Sequence, residues 1–261
     1  MASVAAMSPP FVRLAAHPLR WQLLARLATS DLRVRELVAA VGEPQNLVSY
    51  HLRLLRDAEL VTRSRSSFDA RDSYYHLDLD RCADLMAQTA AALHPSLPSG
   101  RTSPPRLPSG GSRPLRVLFA CTGNSARSPI AEALLRERAH GTVEATSAGS
   151  RPRESVHPAA VRVLAEDYDI DISGQRTRHL DQVTRRDFDH VITLCDKVRE
   201  VCPDFAGHPR PAHWSITDPA PDTLRGRAAE AAVRRAARDI EARIEHLLAL
   251  LASTDPQEVQ A

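Results

Sequence analysis

The chain has 261 residues, which is room for two domains that each bury a core. Its 34 basic and 32 acidic side chains give a formal net charge of +2, so binding of nucleic acid would require a local basic face. Four widely spaced cysteines exclude a secreted disulfide framework. No apolar stretch is long enough for a membrane helix, so a cytoplasmic protein without a membrane partner is expected.

Residues 9–94 are predicted to form helices followed by a β-hairpin. In chain order, the predicted elements are helices over 11–27, 32–41 and 44–56, then strands over 60–68 and 73–77. The short connection from Gly42 to Pro44 is typical of a helix-turn-helix. The hairpin encloses a polar turn flanked by arginines, as in a wing. The pattern predicts a winged helix-turn-helix domain, mainly α with a β-hairpin wing, and indicates DNA binding.

This first domain resembles the ArsR-type winged-helix repressors, which are dimeric regulators. The resemblance implies an operator DNA as partner and a homodimer formed through the winged-helix domain. It also implies that the third helix enters the major groove and that the wing meets phosphate or the minor groove. The implied DNA contacts are Gln45, Asn46, Ser49, Tyr50, His51 and Arg53 on the helix, with Arg63, Arg65 and Arg71 on the wing. A winged helix that binds protein is the alternative.

The sensor thiols of that family are missing from this chain. Many of its members bind arsenite through a Cys-x-Cys pair at the start of the second helix, and the matching stretch 32–36 contains no cysteine. Cys82 alone does not provide a three-thiolate site, and the scattered His17, His51 and His76 are interpreted as structural or DNA-facing side chains. No metal site is therefore predicted, and the inducer stays open.

Residues 95–114 are predicted to be a linker. The segment is rich in proline, glycine and serine and has almost no apolar side chains. Prolines favour extended conformers, so the domains on either side are expected to move with considerable independence. The second domain is predicted to span 115–252.

The second domain begins with a strand, a short loop and a helix. Residues 115–120 are an apolar run typical of a buried strand, and a helical pattern starts near Pro129. The loop 121–128, with the sequence CTGNSARS, carries Cys121 and Arg127 near its two ends. Backbone N–H groups of such a loop, together with a helix start, bind a tetrahedral oxyanion. The positive potential of the helix start and of Arg127 also favours the thiolate form of Cys121, which is a nucleophile.

The predicted oxyanion-binding residues are Thr122, Gly123, Asn124, Ser125, Ala126, Arg127 and Ser128. The fork of the Arg127 guanidinium suits two anion oxygens at once. An ordinary strand-to-helix turn that happens to be flanked by a cysteine and an arginine is the alternative.

Two further cysteines lie seven residues apart. A β-type run ends at Cys195, and Cys202 follows it. In an intact helix their Cα atoms would lie about 10 Å apart, beyond the roughly 7 Å that a disulfide allows, so bridging them requires the segment to loop out. Either Cys195 resolves a Cys121 adduct in a redox relay, or both cysteines are small buried side chains. Asp218, which precedes a proline, is a candidate proton donor if it lies above the anion site, and otherwise a turn residue.

Residues 115–252 resemble the low-molecular-weight tyrosine phosphatase fold, and more closely its thiol-dependent arsenate reductase branch. The resemblance rests on CTGNSARS at 121–128, TSAG at 146–149, VITLC at 191–195 and HWSITDPA at 213–220. It implies an α/β domain with a parallel sheet and a phosphate-binding loop. A pattern of apolar residues over 224–251 predicts its last helix.

The resemblance also implies the catalytic roles. Cys121 attacks arsenate, Arg127 and the loop amides bind it, and Asp218 protonates the departing oxygen. Cys195 attacks the Cys121–arsenic adduct, which releases arsenite. Cys202 then attacks Cys195 to form a Cys195–Cys202 disulfide, which an external reductant reduces. Thioredoxin or a low-molecular-weight thiol system would be that reductant, and no bound cofactor is implied.

Three functions stay open at this point. The first is an arsenate reductase fused to a DNA-binding regulator in arsenic resistance, with possible residual phosphatase activity. The second is a phosphatase-like hydrolase fused to a regulator, which is disfavoured because Ala220 replaces the usual aromatic residue after the Asp-Pro pair. The third is a regulator that binds an oxyanion without turnover. Asn124, Glu132 and Ser147 hold an alkali cation in some relatives, whereas structural hydrogen bonds are expected here.

Overall fold

The computed structural model describes residues 9–94, 97, 113–183, 185–201, 211–219 and 225–253. The chain divides into two compact units, residues 1–103 and residues 104–261. None of the helices within the described ranges combines the length and the apolar character of a membrane span.

Unit 1 contains short helices and a small antiparallel sheet. Its elements are α1 (Pro10–Ala15), α2 (Pro18–Leu27), β1 (Leu32–Arg33), α3 (Val34–Val41), α4 (Gln45–Asp57), β2 (Val61–Arg65), β3 (Ser73–Leu77) and α5 (Leu79–Leu93). The strand order is β1-β3-β2, with β2 and β3 forming the predicted hairpin. The α3 helix ends at Gly42, whose φ of 71° is readily adopted by glycine.

The structure departs from the sequence prediction at both ends of unit 1. The single helix predicted over 11–27 is two helices, because Pro18 cannot continue a helix that precedes it. Instead Pro18 starts α2, and the His17 side chain accepts a hydrogen bond from the Leu19 N–H. The α5 helix was not predicted. It packs against α1 and begins at Asp78, whose carboxylate accepts from the Arg81 N–H at 2.8 Å.

Unit 2 is a parallel α/β sheet with helices. Its elements are β4 (Leu115–Cys121), α6 (Arg127–Ala139), β5 (Val143–Gly149), α7 (Pro158–Tyr168), a 3₁₀ turn (Leu180–Gln182), β6 (His190–Thr193), α8 (Asp196–Val201), β7 (Ala212–His213) and α9 (Gly226–Ser253). The strand order is β5-β4-β6-β7, and all three pairings are parallel. The α6 helix packs against β4, β5 and α9. The α8 helix, which packs against β4 and β6, carries Lys197, the single lysine in the sequence.

The strand order positions the functional site. In the sheet, β5 lies along one edge of β4, and β6, which comes later in the chain, lies along its other edge. Connections diverge at the carboxyl end of β4, which leaves a crevice there. The predicted loop 121–128 begins at this end, and β6 ends beside it. Phe119 is fully buried in β4, and its ring centroid lies 5.8 Å from that of Trp214 in the segment after β7.

Candidate functional site

Cys121 is the last residue of β4 and is buried at the carboxyl end of the sheet. Its Sγ lies 2.9 Å from Ser128 Oγ, and the Asn124 N–H donates to the same sulfur at 3.3 Å. These contacts hold the sulfur at the base of the loop.

The peptide groups of the loop are oriented by the segment that follows β5. N–H groups of residues 150–157 donate to loop carbonyls, in the pairs Ser150 to Cys121, Arg151 to Thr122, Arg153 to Gly123 and His157 to Ser125. These bonds hold four loop carbonyls toward the 150–157 segment. The opposite side of the loop is therefore the side on which its N–H groups receive an anion.

Asn124 fixes the bend of the loop. Its φ of 43° is in the left-handed region, which asparagine tolerates better than most residues. Its Nδ2 donates to Ser128 Oγ at 3.0 Å and to Ser147 Oγ at 2.9 Å, while its Oδ1 accepts from the Arg178 N–H at 2.7 Å. The side chain thereby ties the loop to α6, to β5 and to the segment before the 3₁₀ turn.

Glu132 is a buried carboxylate whose charge is balanced by protein groups. Ser147 Oγ and Gln175 Nε2 donate to it, and Arg136 and Arg178 form ion pairs with it. These hydrogen bonds and ion pairs neutralise the Glu132 charge within the protein. In the part of the chain that the structure describes, no group of three or more His, Cys, Asp or Glu side chains is arranged to hold a metal ion.

Arg127 connects the loop to the segment that carries Asp218. Arg127 is 7% exposed, its Nη1 donates to the Ile216 carbonyl at 3.1 Å, and its Nη2 lies 3.6 Å from Asp218 Oδ1. Burial disfavours the charge, but Cys195, Cys121 and Asp218 outweigh it and raise the pKa of Arg127. The structure thus brings Asp218 to the anion loop, with its side chain half exposed and accessible to a bound substrate.

Cys195 lies two residues beyond β6, on the other flank of the crevice. It is buried, and its Sγ lies 3.3 Å from Thr122 Oγ1 of the loop. Burial raises the pKa of the Cys195 thiol, although Arg127 partly opposes that shift. The structure therefore brings four predicted residues together, namely Cys121, Arg127, Cys195 and Asp218. Cys202 lies outside the described residues.

Sequence comparison assigns both units. Residues 116–257, more than half of the chain, match the family model of low molecular weight phosphotyrosine protein phosphatase. The chain belongs to this family. Residues 17–63 match the model of bacterial regulatory proteins of the arsR family. Both resemblances drawn from the sequence, and the two-domain fold class, are confirmed.

Relatives of the phosphatase-family unit include arsenate reductases. Arsenate reductase 1 of Bacillus cereus is 36% identical over 104 residues, which are 40% of this chain and 76% of the relative. Arsenate reductase 2 of Staphylococcus saprophyticus is 38% identical over 104 residues, 40% of this chain and 78% of the relative. The solved arsenate reductase of Archaeoglobus fulgidus is 32% identical and covers 51% of this chain and 98% of its own, with a TM-score of 0.42.

The arsR-family unit exposes most of the predicted DNA contacts. Five of the six residues predicted on α4 are exposed, namely Gln45, Asn46, Ser49, Tyr50 and Arg53. The wing arginines Arg63, Arg65 and Arg71 are exposed as well. Phe68 at the wing tip is 48% exposed, and the sequence analysis did not select it. An apolar residue in a polar turn between arginines of the wing was the sequence feature that could have identified it.

The prediction that His51 faces DNA is wrong. His51 is 4% exposed, and its ring centroid lies 4.3 Å from that of His17. Burial lowers its pKa, with His17 and Arg20 adding to the shift. The reason is helical periodicity, since His51 shares the inward face of α4 with the buried Val48, Leu52 and Leu55.

Cys82 is a core side chain of the arsR-family unit. It lies on the inward face of α5, and burial, with a smaller contribution from Asp78, raises the pKa of its thiol to about 11. The thiol is therefore neutral near pH 7.

Substitution of Gly149 tests the shape of the loop. A Cβ at this position would lie 2.6 Å from the Thr122 carbonyl oxygen and 2.9 Å from the Asn124 nitrogen, so the loop would have to shift. We expect Gly149→Ala to weaken phosphate binding at least about tenfold, because displacements of the order of 1 Å at such a site are costly. Isothermal titration calorimetry with inorganic phosphate measures the effect.

Gly174→Ala is the matched control, because a Cβ there meets nothing within 4 Å. Equal phosphate affinity of the two folded variants would contradict the assigned loop shape.

Proposed function

We propose that this chain is an arsenate reductase joined to an ArsR-type DNA-binding regulator. The position of Cys195 is the observation that supports the reductase function, because its thiol lies beside the oxyanion loop, 3.3 Å from Thr122 Oγ1. Hydrolysis of a phosphate ester at this loop needs only one nucleophilic thiol, whereas reduction of arsenate needs a second thiol to take up the oxidised sulfur. The relatives named arsenate reductase support the same function.

The reaction begins with attack of the Cys121 thiolate on arsenic, which forms an S–As bond. Arg127 and the loop N–H groups hold the anion, and Asp218 protonates the oxygen that leaves as water. Cys195 then attacks the Cys121 sulfur. An S–S bond forms, the S–As bond breaks, and its electron pair stays on arsenic, which departs as arsenite. Two sulfur atoms have lost two electrons, and As(V) has gained them.

The enzyme is then regenerated by two further exchanges. Cys202 attacks Cys195, which frees Cys121 and leaves a Cys195–Cys202 disulfide. An external thiol reductant, thioredoxin or a low-molecular-weight thiol system, supplies the two electrons that restore the thiols. Exchange of this kind proceeds through attack of a thiolate on a disulfide sulfur.

The surroundings of the loop favour a small inorganic oxyanion over an aryl phosphate. Among the described residues of unit 2, Phe119, Phe188 and Trp214 are buried in the core, and the Tyr168 hydroxyl donates to Glu241. None of these rings is available as an exposed wall for a phenol. Residual phosphatase activity is nevertheless expected, because phosphate and arsenate have similar size and charge.

The regulator part rests on the exposed face of α4 and the exposed arginines of the wing. Dimerisation through unit 1 is supported by apolar side chains left exposed on the packed pair α1 and α5. Val12 is 41% exposed, Met86 48% and Leu93 79%. Burying such side chains in a second copy stabilises a dimer. Two copies would present two recognition helices to one operator.

Serine substitutions test the three-thiol relay. We expect Cys121→Ser, Cys195→Ser and Cys202→Ser each to abolish arsenate-dependent NADPH oxidation coupled through thioredoxin and its reductase. Hydrolysis of p-nitrophenyl phosphate should be lost only in Cys121→Ser. Cys82→Ala, in the other unit, is the control and should retain turnover. Full arsenate turnover by Cys195→Ser would exclude the relay.

The pH dependence of the second step follows from the raised pKa of Cys195. Below that pKa the thiolate fraction, and with it the rate of attack on Cys121, should rise with pH about tenfold per unit. To measure this rate, the Cys202→Ser variant is mixed with arsenate and quenched with acid at successive times. Mass spectrometry then quantifies the Cys121–Cys195 disulfide. A rate independent of pH between 7 and 9 would contradict the assignment.

Two substitutions test the regulator. The probe is a DNA duplex selected from a random pool by the full-length wild type. Arg53→Ala should weaken its binding by about 1–3 kcal/mol, as for loss of a base contact. Met86→Asp should yield monomers by light scattering and also weaken binding. Arg26→Ala, an exposed arginine on α2, is the control. Wild-type affinity of Arg53→Ala would show that α4 is not the reading helix.

A further inference from the structure

A carboxylate follows Cys195 directly in the chain and is buried. Asp196, the first residue of α8, is 3% exposed. Removing an ionised carboxylate from water is costly unless the protein supplies hydrogen bonds or an opposite charge. The sequence analysis gave Asp196 no role, and the reaction steps above do not use it.

Two polar side chains from β7 and the residues after it contact this carboxylate. Ser215 Oγ donates to Asp196 Oδ1 at 2.8 Å, and His213 Nε2 lies 3.1 Å from the same oxygen. The His213 ring is fully buried, and its Nδ1 lies 2.8 Å from Thr193 Oγ1 and 3.1 Å from the Thr193 carbonyl oxygen. Both ring nitrogens are thus engaged, one by α8 and one by the end of β6.

The cluster therefore fixes both sides of Cys195. Thr193 lies two residues before the thiol and Asp196 one residue after it, and both are bound to the same histidine. Rotation of the Cys195 backbone would break the contact on one side or the other.

The segment that carries Asp218 has additional anchors. The Trp214 N–H donates to the Thr193 carbonyl at 2.9 Å, and Arg127 Nη1 donates to the Ile216 carbonyl at 3.1 Å. These two bonds do not involve Asp196. Loss of the Asp196 carboxylate should therefore disturb Cys195 more than it disturbs the proton donor.

We propose that Asp196, held by His213 and Ser215, is a positioning residue that aims Cys195 at the Cys121 sulfur. This proposal rests on the proposed reductase function. The step served is the attack of the Cys195 thiolate on the Cys121–arsenic adduct, in which the S–S bond forms and the electron pair of the S–As bond stays on arsenic. Asp196 acts through the backbone of its neighbour, Cys195.

The test separates the two thiol steps in one protein. In the Cys202→Ser background, one equivalent of arsenate drives formation of the Cys121–Cys195 disulfide, which is quantified after an acid quench. Hydrolysis of p-nitrophenyl phosphate by the same protein requires Cys121, Arg127 and Asp218 but not Cys195. We expect Asp196→Ala to slow disulfide formation by about 100-fold, the cost of a misplacement near 1 Å, and to slow the hydrolysis far less, because Asp196 affects that reaction only through its charge near Arg127.

Asp196→Asn is the conservative variant. Its amide oxygen still accepts from Ser215 and His213, so it should recover most of the rate lost in Asp196→Ala. It also keeps the proposal testable if the alanine variant does not fold. Asp181→Ala is the matched control, because Asp181 also contacts a histidine, His179 at 3.2 Å, but is 85% exposed. The control should form the disulfide at the parental rate.

Two results would overturn the positioning role. One is an unchanged rate of disulfide formation in Asp196→Ala. The other is an equal loss of both activities together with a lowered melting temperature, which would make the cluster a general support of the fold. If the parental Cys202→Ser protein hydrolyses the aryl phosphate but forms no disulfide with arsenate, the reductase function itself fails, and the positioning role with it.

Discussion

The active site depends on where four peptide carbonyls of the anion loop point. N–H groups of residues 150–157 hold the carbonyls of the 121–125 stretch on one side, and the loop N–H groups are left for the other side. Backbone polar groups in a buried loop must be paired, so this arrangement is enforced by the cost of leaving them unpaired. It exists because β4 and β5 pair in parallel with Cys121 opposite Gly149. Both loops therefore start at the same edge of the sheet.

The side chains that surround this loop come from separate parts of the chain and are joined by a few buried contacts. Arg127 donates to the Ile216 carbonyl and lies beside Asp218, so the cation proposed to bind the substrate also positions the segment with Asp218. His213 joins the ends of β6 and α8 on the opposite flank. Cys121, Cys195 and Asp218 thus share one polar framework around the anion loop.

Much of this arrangement was predictable from the sequence, because strong local patterns coincide with it. The apolar run 115–120, the second wing strand and the long last helix were predicted close to the observed bounds of β4, β3 and α9, whereas β2 ends three residues before the predicted end at 68. The sequence prediction joined α1 and α2 into one helix, because the helical spacing of apolar residues continues across Pro18. The helical hydrogen bonding of the backbone stops there, because proline has no N–H to donate. The α5 helix was missed although its apolar residues recur at helical spacing and Asp78 offers an N-cap.

The contacts that were missed are between segments distant in sequence. Nothing local indicates that the 150–157 segment orders the anion loop, or that His213 bonds to Asp196 seventeen residues earlier. Such pairs follow from the strand order, which a single sequence does not specify. His51 is the exception, since its spacing from Val48 and Leu55 already marked the inward face of α4.

The position of Lys197 makes one part of this molecule chemically distinct. It is the single lysine in a chain rich in arginine, and it lies in the first turn of α8 between Asp196 and Val198, both buried. A reagent selective for ε-amines would therefore attach one fluorophore, and attach it to the helix beside the second thiol. Emission from that fluorophore would report rearrangement of α8 in real time, without introducing a cysteine that competes with the reacting ones.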